Sequence, residues 1–192
     1  MKKVLVFDIE SNGLELDKIT KLHCVVVKDI ILKKSYRLYN NSINIITKNN
    51  DLSLSYKDMV DVFSNSDIII GHNIIKYDIG VLGKFFGRDF ENSLKKTKII
   101  DTLVWSQTLN PDRQLPKGCP TSIYNPVTGL NDKITPHSVA AWAYRVSKIK
   151  PVIHEWEDFT ESILNRCEED VEIQELILYA LLKEAGLTLE EF

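Results

Sequence analysis

The sequence predicts an α/β fold in which helices pack on a mixed central sheet. Three observations carry that expectation. Residues 3–9 (KVLVFDI) form a short apolar run that stops at a carboxylate, the pattern of a buried central strand. Residues 22–30 and 31–39 follow as two more strand-like runs, which pair as a hairpin and give the sheet an antiparallel start. From residue 56 onward, stretches of helical and strand character alternate.

Taken in order, residues 56–65 place Tyr56, Met59, Val60 and Phe63 at helical spacing. Residues 67–71 (DIIIG) read as a fourth strand, fully buried, with His72 and Asn73 at its end. Residues 78–86 read as a helix. Residues 97–101 (TKIID) give a fifth strand that runs into a helix over about 102–109, ended by Asn110-Pro111. Residues 111–134 are rich in Pro, Gly, Asn and Asp, which predicts a long functional or mobile loop. Residues 136–147 read as a helix with Thr135 as N-cap and Pro136 at the first helical position. The last helix covers 160–184, with Thr160 as its cap.

The chain has 192 residues, enough to bury a core, and is expected to form a single domain over 1–192. Hydrophobic residues at 44% and charged residues at 27% argue against disorder. No apolar run approaches the roughly 18 residues that span a bilayer, so no membrane association is expected. The apolar start stops at Asp8, too early for a signal peptide, which predicts a cytoplasmic protein. Cys24, Cys119 and Cys167 are odd in number and widely spaced, which argues against a disulfide framework or structural zinc. The net charge of −3 offers no global basic field for nucleic acid. It does not exclude a nuclease, because bound cations supply local positive charge at a carboxylate-rich site.

The chemistry lies in the carboxylates. Asp8 and Glu10 are two apart on a strand, so both point to one face. Crowded carboxylates repel, and hard divalent cations such as Mg²⁺ or Mn²⁺ neutralise them. Asp78 opens a helix after a polar loop, where an N-capping role is the plain alternative. Asp101 is read as the cap of the helix starting at Thr102. Asp170 lies on the border of the apolar stripe of the last helix and faces inward, where it needs a partner or a metal. Glu168 and Glu169 read as a solvated helix face. Together Asp8, Glu10, Asp78 and Asp170 point to two-metal phosphodiester chemistry.

These residues also carry a family resemblance. Asp8-Ile9-Glu10-Ser11-Asn12-Gly13-Leu14, Asn73-Ile74-Ile75-Lys76-Tyr77-Asp78 and Cys167-Glu168-Glu169-Asp170-Val171 resemble the three exonuclease motifs of the DEDD (DnaQ-like) superfamily. Flanking stretches at 20–24, 100–104 and 137–145 resemble most closely the proofreading exonuclease domain of T-odd phage family A DNA polymerases. The resemblance covers nearly the whole chain. It implies a ribonuclease H-like fold and 3′-5′ exonuclease activity on a single-stranded DNA 3′ end, in proofreading or DNA processing. It further implies two ions, Mg²⁺ or Mn²⁺: Asp8, Glu10 and Asp170 ligate the catalytic ion, and Asp78 holds the second through water. No polymerase module follows Phe192, so the expectation is a separately encoded subunit beside a DNA polymerase, in the host cytoplasm if encoded by a phage. Leu14 resembles the family's apolar wedge against terminal bases; a core leucine is the alternative. Asn73 contacts the substrate strand or merely forms a turn. Tyr77 and Arg166 complete the candidate substrate-binding set.

One departure stands out. The family places a Tyr four residues, or a His five residues, before the last Asp to work on the attacking water. Here those positions hold Arg166 and Asn165. Arg stays protonated and is no general base. The metal alone, or His137 or His154 from another segment, is then left to activate the water. The alternatives to a DNA exonuclease are a 3′-5′ exoribonuclease and a non-catalytic DNA-end-binding replisome subunit. Of the remaining residues, His23 reads as a satisfied core histidine and His72 is open. Trp142, Tyr144 and Arg145 either line a strand groove or pack a helix. Lys84, Arg88, Lys95, Lys96 and Lys98 read as solvated rather than phosphate-binding.

Overall fold

Val4, Leu5, Val6 and Phe7 leave β1 (Val4–Ser11) no polar face to turn to water, so it is buried on both sides at the centre of the sheet. It pairs antiparallel with β2 (Leu22–Asp29), which pairs antiparallel with β3 (Lys34–Tyr39). On its other edge β1 pairs parallel with β4 (Ile68–Gly71), and β4 pairs parallel with β5 (Lys98–Asp101). The strand order is β3-β2-β1-β4-β5. The computed structural model describes residues 2–39, 53–125, 129–148 and 156–191.

The helices are α1 (Tyr56–Ser64), α2 (Asp78–Phe86), α3 (Arg88–Ser93), α4 (Thr102–Leu109), α5 (Val139–Arg145) and α6 (Glu161–Ala185). Side-chain alternation along the strands divides them between two layers. Leu5, Phe7, Val25, Val27 and Ile69 share one core with Met59, Phe63, Val81, Leu82 and Phe90 of α1–α3. There Phe63 meets both Phe7 and Phe90 edge to face. Val4, Val6, Cys24, Val26, Ile68, Ile70 and Ile100 share the other core with Ile163, Leu164, Cys167, Val171 and Leu178 of α6. Asp8 and Glu10 continue the register of Val4 and Val6, so they lie on the α6 side.

Several expectations are corrected. The hairpin strand β3 starts at Lys34, not at residue 31, because the Asp29 carboxylate accepts from the N–H groups of Ile31 and Leu32 and closes a turn there. Helix α5 starts at Val139 with Ser138 as its N-cap, the Ser138 side chain accepting from Ala141 N–H. Thr135 and Pro136 lie in the preceding turn, where Arg145 donates to the Pro136 carbonyl. The 111–134 stretch contains a two-stranded hairpin, β6 (Ser122–Asn125) and β7 (Leu130–Lys133). Arg113 anchors this arm by donating to both Glu184 carboxylate oxygens. The short helix α3 carries no sequence pattern that announced it. The long helix is as expected: Thr160 accepts from Ile163 N–H, and Gly186 ends it in the left-handed region at φ 68°. No helix among the described residues is long and apolar enough to cross a membrane.

Candidate active site

The pairing of β1 with β2 ends in a bulge between Glu10 and Ser11, directly after the Asp8/Glu10 pair. Helix α6 crosses that end of the sheet. The periodicity that buries Cys167, Val171 and Gln174 also buries Asp170, which is only 3% exposed. As a result Asp8, Glu10 and Asp170 each present a carboxylate oxygen within 4.8 Å of the others. A set of hard oxygen donors this close suits a divalent cation with carboxylate and water ligands.

Asp78 reaches the same cleft from a third segment. It is the first residue of α2, with Tyr77 at the cap position, and it is 4% exposed. Burial, and next the negative charge of Asp8, hold its pKa well above the ordinary carboxylate value; hydrogen bonds to its own and the Ile9 backbone oppose the rise. The capping alternative does not describe it, because the N-cap position is held by Tyr77. Asp101 by contrast is a cap, accepting from Leu103 and Val104 N–H. It also accepts from Asn73 and Ile75 N–H and so fixes the loop that leads to Asp78.

The cleft encloses about 420 Å³ and is lined by Asp8, Glu10, Asp78 and Asp170, together with Asn73, Tyr77 and Arg166. Leu103, Thr135, Ser138, Val139 and Ala140 form its further wall. Arg166 donates from Nε to Glu10 Oε1 at 3.0 Å and lies 3.8 Å from Asp170 Oδ2. Asn73 has φ 65°, so it is a turn former as well as a cleft residue. Tyr77 donates its hydroxyl to the Gly13 carbonyl at 2.5 Å and lies 2.7 Å from Ser11 Oγ. Leu14, next to Gly13, is 87% exposed, which rules out the core alternative.

Three supporting groups were not read from sequence. Gln174 donates from Nε2 to Asp8 Oδ1 at 2.8 Å. Cys167 Sγ lies 3.3 Å from the Asp8 carbonyl, and burial pushes its thiol pKa well up, so it stays protonated. The usable signal was spacing: Cys167, Asp170 and Gln174 sit three and four residues apart on one helix face. Trp156 lies under the Arg166 guanidinium, 5.0 Å from ring centroid to Cζ. His72, left open by the sequence, is a cleft residue. Thr102 donates its hydroxyl to the Gly71 carbonyl, so His72 Nδ1 must be the donor to Thr102 Oγ1 at 2.9 Å.

Other candidates lie elsewhere. His137 is not among the cleft residues; its Nδ1 is 2.9 Å from Ser106 Oγ. His154 lies outside the described residues. Trp142 is buried in the α5–α6 core, with the guanidinium groups of Arg113 and Arg145 against its ring, so it packs a helix. Tyr144 is exposed outside the cleft. His23 is a satisfied core residue, with Nε2 2.6 Å from the Trp156 carbonyl. Glu168 is not a free solvated face, because it pairs with the buried Arg37. Lys84 is not merely solvated, since it donates to the carbonyls of Leu16 and Ile19.

No protein-family model matches the sequence, and no curated protein matches it. The fold does match solved structures of exonuclease I. A structure of E. coli exonuclease I in complex with a dT13 oligonucleotide matches at TM-score 0.57 and 13% identity, over 95% of this chain and 41% of that one. A product-bound exonuclease I matches at 0.55 and 13%, over 95% and 43%. Apo exonuclease I matches at 0.54 and 13%, over 95% and 42%. This chain therefore spans about two fifths of the length of those proteins. At this identity the likeness establishes the fold: an α/β, ribonuclease H-like arrangement with a mixed sheet flanked by helices.

Proposed function

We propose that this chain is a metal-dependent 3′-5′ exonuclease that hydrolyses phosphodiester bonds at the 3′ end of single-stranded DNA. One observation carries the reading. Strand β1 and helix α6 bring three carboxylates within 4.8 Å of one another at the end of a central strand, and a fourth is buried beside them. Such crowding is costly unless cations occupy it. The fold shared with exonuclease I, solved in complex with a dT13 oligonucleotide, supports the same reading.

In this proposal Asp8, Glu10 and Asp170 hold one ion, and Asp78 serves a second; Mg²⁺ and Mn²⁺ suit the all-oxygen donor set. When bound, the ions supply an activated water and neutralise the charge developing on the leaving oxygen. The chain's own groups do the rest. Gln174 fixes the rotation of the Asp8 carboxylate. Tyr77 holds the Gly13 carbonyl, which leaves Leu14 standing into solvent beside the cleft, where it can press on a terminal base. Asn73 and Tyr77 present polar groups along the strand's path. A single exonuclease domain over 1–192, acting beside a separate DNA polymerase, is the extension we favour.

A second reading, binding of DNA ends without cleavage, draws on one observation: Arg166 takes up Glu10 where the resemblance calls for Tyr. Digestion of 5′-labelled single-stranded DNA with Mn²⁺ separates the two. We expect products that shorten stepwise from the 3′ end and a reaction that stops with EDTA. Asp8→Ala and Asp170→Ala reduce cleavage to background, with melting temperatures within a few degrees of the parent, because lost hydrogen bonds and relieved repulsion offset one another. An intact substrate with tight binding would leave only the second reading. Parallel digestion of RNA shows whether the enzyme is instead an exoribonuclease.

A further inference from the structure

Arg166 lies one helical turn before Asp170 on α6, on the side that faces β1. Its Nε donates to Glu10 Oε1 at 3.0 Å, and the same nitrogen is 3.8 Å from Asp170 Oδ2. The guanidinium face rests on Trp156. Trp156 is itself held in place. Its carbonyl takes His23 Nε2 at 2.6 Å, and Lys21 pairs with the next two residues, Glu157 and Asp158. The Arg166 side chain is 19% exposed, so its charge is partly shielded from water. This cation is therefore built into the site from two directions, by carboxylates on one side and by an indole on the other.

The placement has a chemical consequence. Glu10 and Asp170 are two of the three carboxylates that lie close enough to share an ion. Both already face a permanent positive charge, because a guanidinium does not deprotonate in a protein. An incoming divalent ion meets repulsion from that charge and competes with it for the Glu10 oxygen. Wherever the ion settles among these oxygens, binding costs more than it would at the same carboxylates without Arg166.

We propose that Arg166 is a resident counter-cation that neutralises Glu10 and Asp170 in the metal-free protein, yields Glu10 when a divalent ion binds, and thereby sets the ion concentration at which the site loads. Trp156 is the platform that keeps the displaced guanidinium at the cleft wall. Arg166 is a positioning residue here, acting on the carboxylates and not on substrate. The proposal rests on the reading of this cleft as a divalent-cation site. It does not depend on cleavage.

The test is Mn²⁺ binding to the full chain without nucleic acid, by calorimetry, with melting curves in EDTA and in Mn²⁺. Arg166→Gln and the apolar Arg166→Leu each bind Mn²⁺ about tenfold more tightly than the parent, the smallest effect expected of a removed neighbouring charge. Both melt lower than the parent in EDTA and gain more from Mn²⁺. Arg166→Lys, which keeps the charge, stays close to the parent affinity. Using two neutral variants keeps the test open if one fails to fold. Equal or weaker Mn²⁺ binding by the folded neutral variants, with Asp170→Ala abolishing it, overturns the counter-cation while leaving the metal site standing. No Mn²⁺ binding by the parent or any variant overturns both.

Discussion

Asp78 carries an unfavourable charge in the cleft. Burial and the neighbouring Asp8 push its pKa well above 3.8, so the metal-free folded protein binds a proton there more readily than the unfolded chain does. Across the pH range between 3.8 and the raised value, stability falls as pH rises, and the penalty persists at neutral pH. Asp78→Asn removes the charge and keeps the size. We expect it to melt a few degrees above the parent in EDTA at pH 7, with the gap closing as pH falls toward 3.8. A lower melting point for Asp78→Asn at pH 7 contradicts this account. On the proposed function Asp78 serves a second ion, so the same substitution is also expected to slow cleavage.

At this scale the sequence was informative about charge and silent about partners. A carboxylate two residues from another on a strand, or inside an apolar stripe, is visible because it breaks a pattern. Gln174 breaks none, since Gln is an ordinary helix residue, and its bond to Asp8 spans 166 residues of chain. The mismatch at Arg166 was visible, but its partners were not: Glu10 is 156 residues away, and Trp156 sits outside any periodic segment.

Among the elements, the end of β4 is tightly fitted at Gly71. A methyl group added at Gly71 would lie 2.3 Å from Ile74 Cγ2, 3.0 Å from the Phe7 carbonyl oxygen and 3.2 Å from Gln174 Oε1. Ile74 is fully buried and the Phe7 contact is backbone, so neither yields easily. Gly71→Ala is expected to cost about 1–3 kcal/mol, the range of overpacked cores. It also disturbs the Gln174 that holds Asp8, so cleavage falls as well. Chemical denaturation and the DNA digestion measure the two effects. A variant as stable and active as the parent would show that the strand end adjusts freely. The elements the sequence missed have a shared cause. The strands β6 and β7 are exposed or half-buried throughout, so no burial pattern marks them. Their turn closes through Gly129 N–H to the Asn125 carbonyl, which composition alone reads as loop. Helix α5 was placed too early because Pro136 satisfies the rule for a first helical residue while Ser138 makes the actual cap.

For the molecule as a whole, the sheet joins an antiparallel hairpin to two parallel strands, and β1 belongs to both parts. That mixed character was legible, because two runs in close succession must turn back on themselves while strands separated by a helix need not. The layer each side chain enters was legible only as a period of two; which layer α6 would cover was not. The proposed metal site, assembled from β1, the start of α2 and α6, would tie metal binding to global stability, since an unfolded chain cannot offer these ligands together. Mn²⁺ at 100 times its dissociation constant is expected to stabilise the fold by about 2.7 kcal/mol. Melting curves over a Mn²⁺ series check it, and a melting point indifferent to the ion speaks against a site formed by folding.

Tyr77 and Asp78 are adjacent in the chain, yet they meet different parts of the cleft. One grips the Gly13 carbonyl beneath exposed Leu14; the other sits among the acids. Lys84, further along α2, clasps the same stretch of chain through Leu16 and Ile19. The segment that carries the projecting leucine and the helix that begins at the buried acid are thus tied together. On the proposed function, a strand end that presses on Leu14 would bear on the segment that Tyr77 and Lys84 tie to α2, the helix that begins at Asp78.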